Sequence, residues 1–321
     1  MLSLCPAGAP LPTTGIAAGS LEFSPKQKTI LSKGIRYMLL ATFLFACMNV
    51  LVKFVSHIPS VEVVFFRSLI SLVMSFVILK SQKVPLLGNN KPLLVARGVF
   101  GALGLILYFT IIQQIPLATA VTLQFLAPIV TAMLGMLLLK ERVRGWQWMF
   151  FLLSFCGVLV VNGFDARVSL IHLLMGLLAA FGAGMAYTII RKLNTSEHPL
   201  VIVMYFPLVT MPLTGLYSAF HWEMPAGTDW LMLLGIGVLT QFAQYFMTKS
   251  FQEDEINKVA SLKYLSIFYA LAFGYVFFDE TFNLYTYLGM TLVVAGVVLN
   301  VWYKNRLTSA AAKRLRIRQS T

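Results

Sequence analysis

The stretch from Asn257 to Trp302 repeats the stretch from Ala118 to Gly163 at a constant offset of 139 residues, without a gap. Sliding one over the other pairs Leu123 with Leu262, Leu126 with Leu265, Gly135 with Gly274, Glu141 with Glu280, Gly157 with Gly296 and Val158 with Val297. Each copy is an apolar run, an acidic break and a second apolar run, so the fold must accommodate one unit twice. The breaks differ in charge: Lys140-Glu141-Arg142 is basic, and Asp279-Glu280-Thr281 is not. Lys and Arg stay on the cytoplasmic side of a membrane, and the contrast therefore predicts two copies of opposite orientation in the bilayer. Inverted repeats of this kind are a signature of secondary carriers.

The apolar runs need a membrane to make sense. Hydrophobic residues make up 58% of the chain, charged residues 12%, and the mean hydropathy is +0.80. The 321 residues, at about 20 per span, leave room for roughly ten spans joined by short loops. With this hydropathy the net charge of +13 signifies basic cytoplasmic loops and tails rather than a nucleic-acid surface. Cys5, Cys47 and Cys156 have no metal-ligand spacing, and His57, His172, His198 and His221 are scattered at or near loops. Neither a metal site, a cofactor site nor a catalytic constellation is indicated, and no Gly-rich nucleotide loop of the G-x-x-x-x-G-K-[ST] type occurs. Met1 to Pro25 is rich in Pro, Gly, Ala, Ser and Thr and lacks the basic start and long apolar run of a signal peptide.

Spans are predicted near 35–56, 61–79, 92–114, 118–139, 145–163, 169–190, 199–220, 228–250, 257–278 and 283–303, separated by turn-like segments such as Ser56 to Ser60 and Met224 to Gly227. Trp146, Trp148, Trp222, Trp230 and Trp302 fall at span ends, where an amphipathic ring prefers the headgroup region. Of the 25 Lys and Arg, four lie inside spans. If the N-terminus is cytoplasmic, every other one but Arg167 lies in a cytoplasmic loop or tail. The expected fold is thus an all-α integral membrane protein of ten transmembrane helices in two inverted five-helix repeats, N-in and C-in. Residues 1–33 form a disordered cytoplasmic tail, 34–163 the first repeat, 169–303 the second, and 304–321 a basic cytoplasmic tail.

This layout resembles the EamA-type carriers of the drug/metabolite transporter superfamily. The resemblance rests on the repeat over about 34–303, the span ends Leu139-Lys140-Glu141 and Phe278-Asp279-Glu280, and the run Ser60-Val61-Glu62-Val63-Val64-Phe65-Phe66-Arg67. It implies alternating access but no particular cargo, since the superfamily carries amino acids, nucleotide sugars, S-adenosylmethionine and organic anions. Asn49, Lys53, Arg67 and Lys263-Tyr264-Leu265 are similar to its S-adenosylmethionine-type and organic-anion-type branches. Ser266 stands where the former would place an acid.

A Lys or Arg at the centre of a span costs about 2.5–3.5 kcal/mol on insertion scales, so the four inside spans need a reason. Lys53 ends a stripe with Thr42, Ala46 and Asn49; snorkelling to the outer interface is its plainer reading. Arg67 lies well inside its span with Ser71 and Ser75 on the same face, and a pair with Glu62 is the structural alternative. Arg97 opens a stripe with Gly101, Gly104 and Tyr108, where close helix packing explains the glycines equally well. Lys263 takes the place that Gln124 has in the other copy, which sets the two about the bilayer midplane, where carriers bind cargo. Gln241, Gln244, Thr240 and Thr248 add polar groups to the eighth span, with interhelical hydrogen bonding as their alternative. Tyr187, Tyr205 and Tyr269 are further candidates for the cavity wall. Glu141 and Glu280 are expected to serve the dipole of the helix that follows each.

Counting Glu62 as the acid among these cations leaves an uncompensated positive chamber, which is unfavourable unless an anion fills it. The expectation is a secondary transporter, not an enzyme, in the bacterial inner membrane. Its cargo is a small organic anion bound by Arg67, Lys263, Arg97, Lys53, Asn49, Gln124, Tyr108, Gln244 and Gln241. Carriers of S-adenosylmethionine, amino acids or other zwitterions, and a non-transporting membrane scaffold, stay open as alternatives. So do monomer and homodimer; the lipid bilayer is the other expected partner.

Overall fold

The computed structural model describes residues 32–83, 85, 88–139, 145–193, 196–253 and 261–320. Residues 1–31 of the tail expected to be disordered, and the Lys140-Glu141-Arg142 break, lie outside the described residues, whereas Ser32 and Lys33 cap and open α1. Eleven α-helices and one 3-10 turn are described, and no strand is found among these residues. The first half contains α1 (Lys33–Phe54), α2 (Ser60–Ser81), α3 (Lys91–Gln114), α4 (Leu117–Gln124), α5 (Ala127–Leu139) and α6 (Gly145–Phe164). The second contains α7 (Leu170–Leu193), α8 (Pro199–Phe220), α9 (Asp229–Glu253), the 3-10 turn Ser261–Tyr264, α10 (Leu265–Phe278) and α11 (Leu284–Ser320). Starts are set locally: Ser32 caps α1 by accepting from Ile35 N at 3.4 Å, Asn90 caps α3 through Leu93 N at 3.4 Å, and Pro59 and Pro116 precede α2 and α4. The backbone of the basic C-terminal segment continues α11 to Ser320.

Among the described residues, eight helical stretches are long and apolar enough to cross a membrane, and two shorter apolar ones, Gly145–Val161 and Leu262–Phe278, accompany them. Their outward faces carry the large exposed side chains that a bilayer accepts and water does not, such as Leu137, Phe220 and Leu284. Small residues let the inner faces close up. A Cβ on Gly104 of α3 would lie 2.8 Å from the backbone N of Ala183, and one on Gly182 of α7 would lie 2.8 Å from the N of Gly104.

Exchanging α1 with α7, α2 with α8, α3 with α9, α4/α5 with the 3-10 turn and α10, and α6 with α11 carries the principal packing partners into one another. The pair α1 and α9 becomes α7 and α3, and the pair α2 and α9 becomes α8 and α3. The seam between α6 and α11 shows the symmetry residue by residue. Ser154 Oγ donates to Val293 O at 3.2 Å, the sequence separation being the repeat offset of 139. Gly157 packs on the backbone of Val293, and its equivalent Gly296 packs on the backbone of Ser154, the equivalent of Val293. Farther along, Gln147 Nε2 donates to Asn300 Oδ1 at 3.1 Å, so one helix advances as the other recedes and the two run antiparallel.

The fourth predicted span is interrupted rather than continuous, and the described part of the ninth opens in a 3-10 turn. Pro128 has no N–H for the carbonyl of Gln124, so α4 stops there and the chain passes through shorter-range bonds, Phe125 N to Thr122 O at 3.1 Å and Leu126 N to Leu123 O at 3.0 Å. In the other copy the tight turn Ser261–Tyr264 precedes α10. The break and the turn meet: the rings of Phe125 and Tyr264, equivalent under the offset, lie 5.1 Å apart.

Candidate functional site

Arg67 of α2 is 4% exposed, and the bundle gives its guanidinium little to bind. Its Nε donates to Thr240 Oγ1 at 3.3 Å, and its Cζ stands 5.9 Å from the ring centre of Phe109 and 5.5 Å from that of Phe206. Arg97 of α3 reaches the same Phe206 ring, with Cζ 4.5 Å from its centre. Gly101 makes room for that ring, since a Cβ there would fall 2.9 Å from Phe206 Cε2. Two guanidiniums thus share one aromatic side chain on α8. Neither forms an ion pair among the described residues, and Arg67 Nη1 and Arg97 Nε and Nη1 are shielded from solvent without a hydrogen-bond partner. The two Cζ atoms lie 5.5 and 4.5 Å from one ring centre, and within the sum of those distances two like charges repel by roughly 2 kcal/mol or more at an effective dielectric of about 20. Cation–π contact returns about 0.5–2 kcal/mol per guanidinium, less than the several kcal/mol it costs to take each charge out of water, so the arrangement is left short of a counterion.

Neutral polar groups line the approaches. Asn49 of α1 donates through Nδ2 to the Tyr108 hydroxyl at 3.2 Å and leaves Oδ1 unpaired and buried. Tyr187 of α7 is within electrostatic range of Arg97 and Tyr108. Gln124, the last residue of α4, holds a shielded Oε1 without a partner at the helix break, and Ser71 Oγ on α2 is likewise buried and unpaired. Lys263 is half-buried at the matching place, in the 3-10 turn packed against α1.

Lys53 is placed differently from the expectation that counted it among the uncompensated cations. Its Nζ lies 2.5 Å from Glu280 Oε1 and donates to Ile115 O at 2.7 Å, over the ring of Phe278. Glu280 therefore joins Glu62 in the charge tally, and it reaches its place by a local device. Asp279 stops α10 in a left-handed conformation (φ 50°), Glu280 N returns to Gly274 O at 3.0 Å, and the side chain swings back into the bundle. There it accepts from Leu117 N at 2.8 Å, so it serves the N-terminus of α4 in the other repeat rather than the helix that follows it. Glu141 lies outside the described residues.

Glu62 is fully buried, and its Oε2 accepts from Glu223 N at 3.1 Å; no pair with Arg67 forms. Gln241 donates to Ser75 Oγ at 3.4 Å, an α9–α2 packing contact, and Gln244 is half-buried, with its backbone O accepting from Thr248. Thr240 alone of the predicted polar set on this helix reaches Arg67. Tyr205 is buried in the apolar cluster of Leu79, Leu94 and Leu193, and Tyr269 packs on Phe43 and Phe273. Phe206, next to Tyr205, carried no sequence signal of its own: a Phe in an apolar run has nothing to mark it until the two arginines are placed. A groove of about 440 Å³ between α1, α9 and α10, lined by Phe43, Leu51, Phe273 and Phe277, has apolar walls and suits acyl chains rather than a charged ligand.

The comparisons with known proteins agree on one family. The model of the EamA-like transporter family matches twice, over residues 32–163 and 170–302. The pseudopaline exporter CntI of Pseudomonas aeruginosa (strain UCBPP-PA14) is 33% identical over 84% of this chain and 96% of its own. Mouse solute carrier family 35 member G1 is 29% identical over 84% of this chain and 79% of its own. A crystal structure at 20% identity superposes with a TM-score of 0.59, covering 85% of this chain and 98% of that one, which shows the shared fold.

Proposed function

The chain belongs to the EamA-like transporter family, and we propose that it is a secondary carrier which moves a small organic anion across the membrane by alternating access. It is a multi-pass membrane protein of a family of transporters, not of enzymes. In the proposed topology the eight long spans and two shorter apolar helices make ten crossings. The two five-span repeats are inverted and both termini are cytoplasmic, an arrangement supported by the antiparallel seam of α6 and α11 and by the distribution of Lys and Arg. The bacterial inner membrane is the proposed location, and a relative named as an exporter favours outward passage.

One observation carries the anionic cargo: two guanidiniums on one ring, buried or half-buried, with donors unpaired and no carboxylate bound to them among the described residues. A charge removed from water needs a partner, and the forked donors of Arg suit carboxylate or phosphate. Asn49, Tyr108, Gln124 and Lys263 complete the wall of the proposed site. Gln124 sits at the break in the fourth span and Lys263 in the 3-10 turn at the equivalent place, and interrupted helices near the midplane are where such carriers hold cargo. Lys53 is proposed to hold the halves together rather than to touch cargo.

Counterflow with purified protein in liposomes tests this. Labelled carboxylates and phosphate esters are expected to exchange, and neutral or cationic analogues of the same size are not. Exchange of the neutral analogue at the same rate as the carboxylate would remove the anionic reading.

A further inference from the structure

We propose that the cargo is a dianion, its two negative charges shared between the guanidiniums of Arg67 and Arg97. This rests on the anionic reading and goes further, because it concerns how many charges the site demands.

Both Cζ atoms lie within reach of one ring, 5.5 and 4.5 Å from the Phe206 centre, so their separation cannot exceed the sum of those two distances. A molecule of a few carbons spans that gap. Each cation also has donors to offer: Nη1 of Arg67, and Nε and Nη1 of Arg97, are shielded and unpartnered. The fork that grips a carboxylate through two parallel bonds is Nε with Nη2, so the unpartnered Nε and Nη1 of Arg97 point to opposite sides and each offers a single charge-assisted bond. Among the described residues no acid is paired with either cation. A monoanion would satisfy one guanidinium and leave the other as the lone charge in a low-dielectric chamber, the state that buried pairs least tolerate. Two negative charges satisfy both. A dicarboxylate supplies them on two centres and a phosphoryl group on one, and the shared chemistry is a net charge of minus two within one small molecule.

The test uses the full chain in detergent at pH 8 and fixed ionic strength. Dissociation constants are read from ligand-dependent shifts of the thermal unfolding midpoint. The probes are butyrate, succinate, glutarate, inorganic phosphate and alanine. Succinate, glutarate or phosphate is expected to bind at least about tenfold more tightly than butyrate, through the second charge-assisted contact. Which of these is tightest distinguishes a two-centre from a one-centre dianion. Arg97→Gln should bring butyrate and the dianions to within about threefold of each other, and Arg97→Lys should restore part of the preference. An arginine that only supported the fold would weaken all probes together and leave their ratio unchanged. Butyrate binding as tightly as every dianion in the unaltered protein overturns the dianion while leaving the anionic reading intact. Stabilisation by alanine alone, or by none of the probes, overturns both.

Discussion

Lys53 and Arg67 are cations held inside the same bundle, and the chain treats them in opposite ways. Lys53 receives a carboxylate from the other repeat and a backbone carbonyl from the end of α3. Arg67 receives a threonine hydroxyl and two ring faces, and shares one of those rings with a second guanidinium. On the proposed reading the difference separates two uses of buried charge. A charge that fastens the architecture has its counterion built into the sequence, because the fold must be complete without cargo. A charge that recognises a passing anion must lack one, and the surrounding structure has to tolerate the deficit.

Removing each cation's surroundings puts that distinction at risk, and the largest effect is expected at Arg67. Truncating one side of a buried charge contact costs about 2–5 kcal/mol of binding, so Arg67→Ala should lower anion flux in proteoliposomes about thirtyfold or more. The thermal midpoint of the same variant should hold or rise, since a repulsion between like charges has gone. A large fall in midpoint would make Arg67 a structural cation like Lys53. Glu280→Ala is the converse experiment. It strands Lys53 and the N-terminus of α4, and is expected to cost about 3–5 kcal/mol in stability, read as a drop in the unfolding midpoint. Most of that loss should return when Lys53→Met is added.

Phe206→Leu sharpens the comparison at lower amplitude. It removes a cation–π surface worth about 0.5–2 kcal/mol from both arginines, and the expected result is a several-fold weaker anion affinity at little change in stability. His57→Ala supplies the baseline. His57 Nε2 lies 3.0 Å from Asp229 Oδ2, but the imidazole is 59% exposed. Surface pairs are worth about 0–1 kcal/mol, so the midpoint should barely move. A change as large as that of Glu280→Ala would mean that position in the bundle, not burial, sets the worth of an ion pair here.

Much of this arrangement was open to reading from residues alone, because membrane segments must satisfy their own backbone and the cost of intramembrane charge falls on identifiable positions. The repeat offset predicted that Gln124 and Lys263 would be equivalent, and they lie at the break in the fourth span and in the 3-10 turn at the equivalent place. Arg67 and Arg97 stood out by charge and meet at one ring. The break itself was missed in the fourth span although Pro128 announces it, since hydropathy does not register a missing N–H. Sequence proximity makes Glu280 a cap for the helix after it. Its actual partners, Lys53 and Leu117, are 227 and 163 residues away and follow only from how the repeats interlock. Phe206 lost out to Tyr205 for a similar reason: one step along a helix turns a side chain through about 100 degrees, and only the placement of α8 decides which neighbour faces the arginines.

The grip of Glu280 on two different targets bears on how a leak is avoided. Its carboxylate neutralises an ammonium and caps the first turn of α4 simultaneously, so the two bonds are lost as one event rather than in succession. In the proposed carrier, a junction fastened in this fashion is expected to resist fraying by degrees under thermal motion, which would keep a continuous pore a rare state.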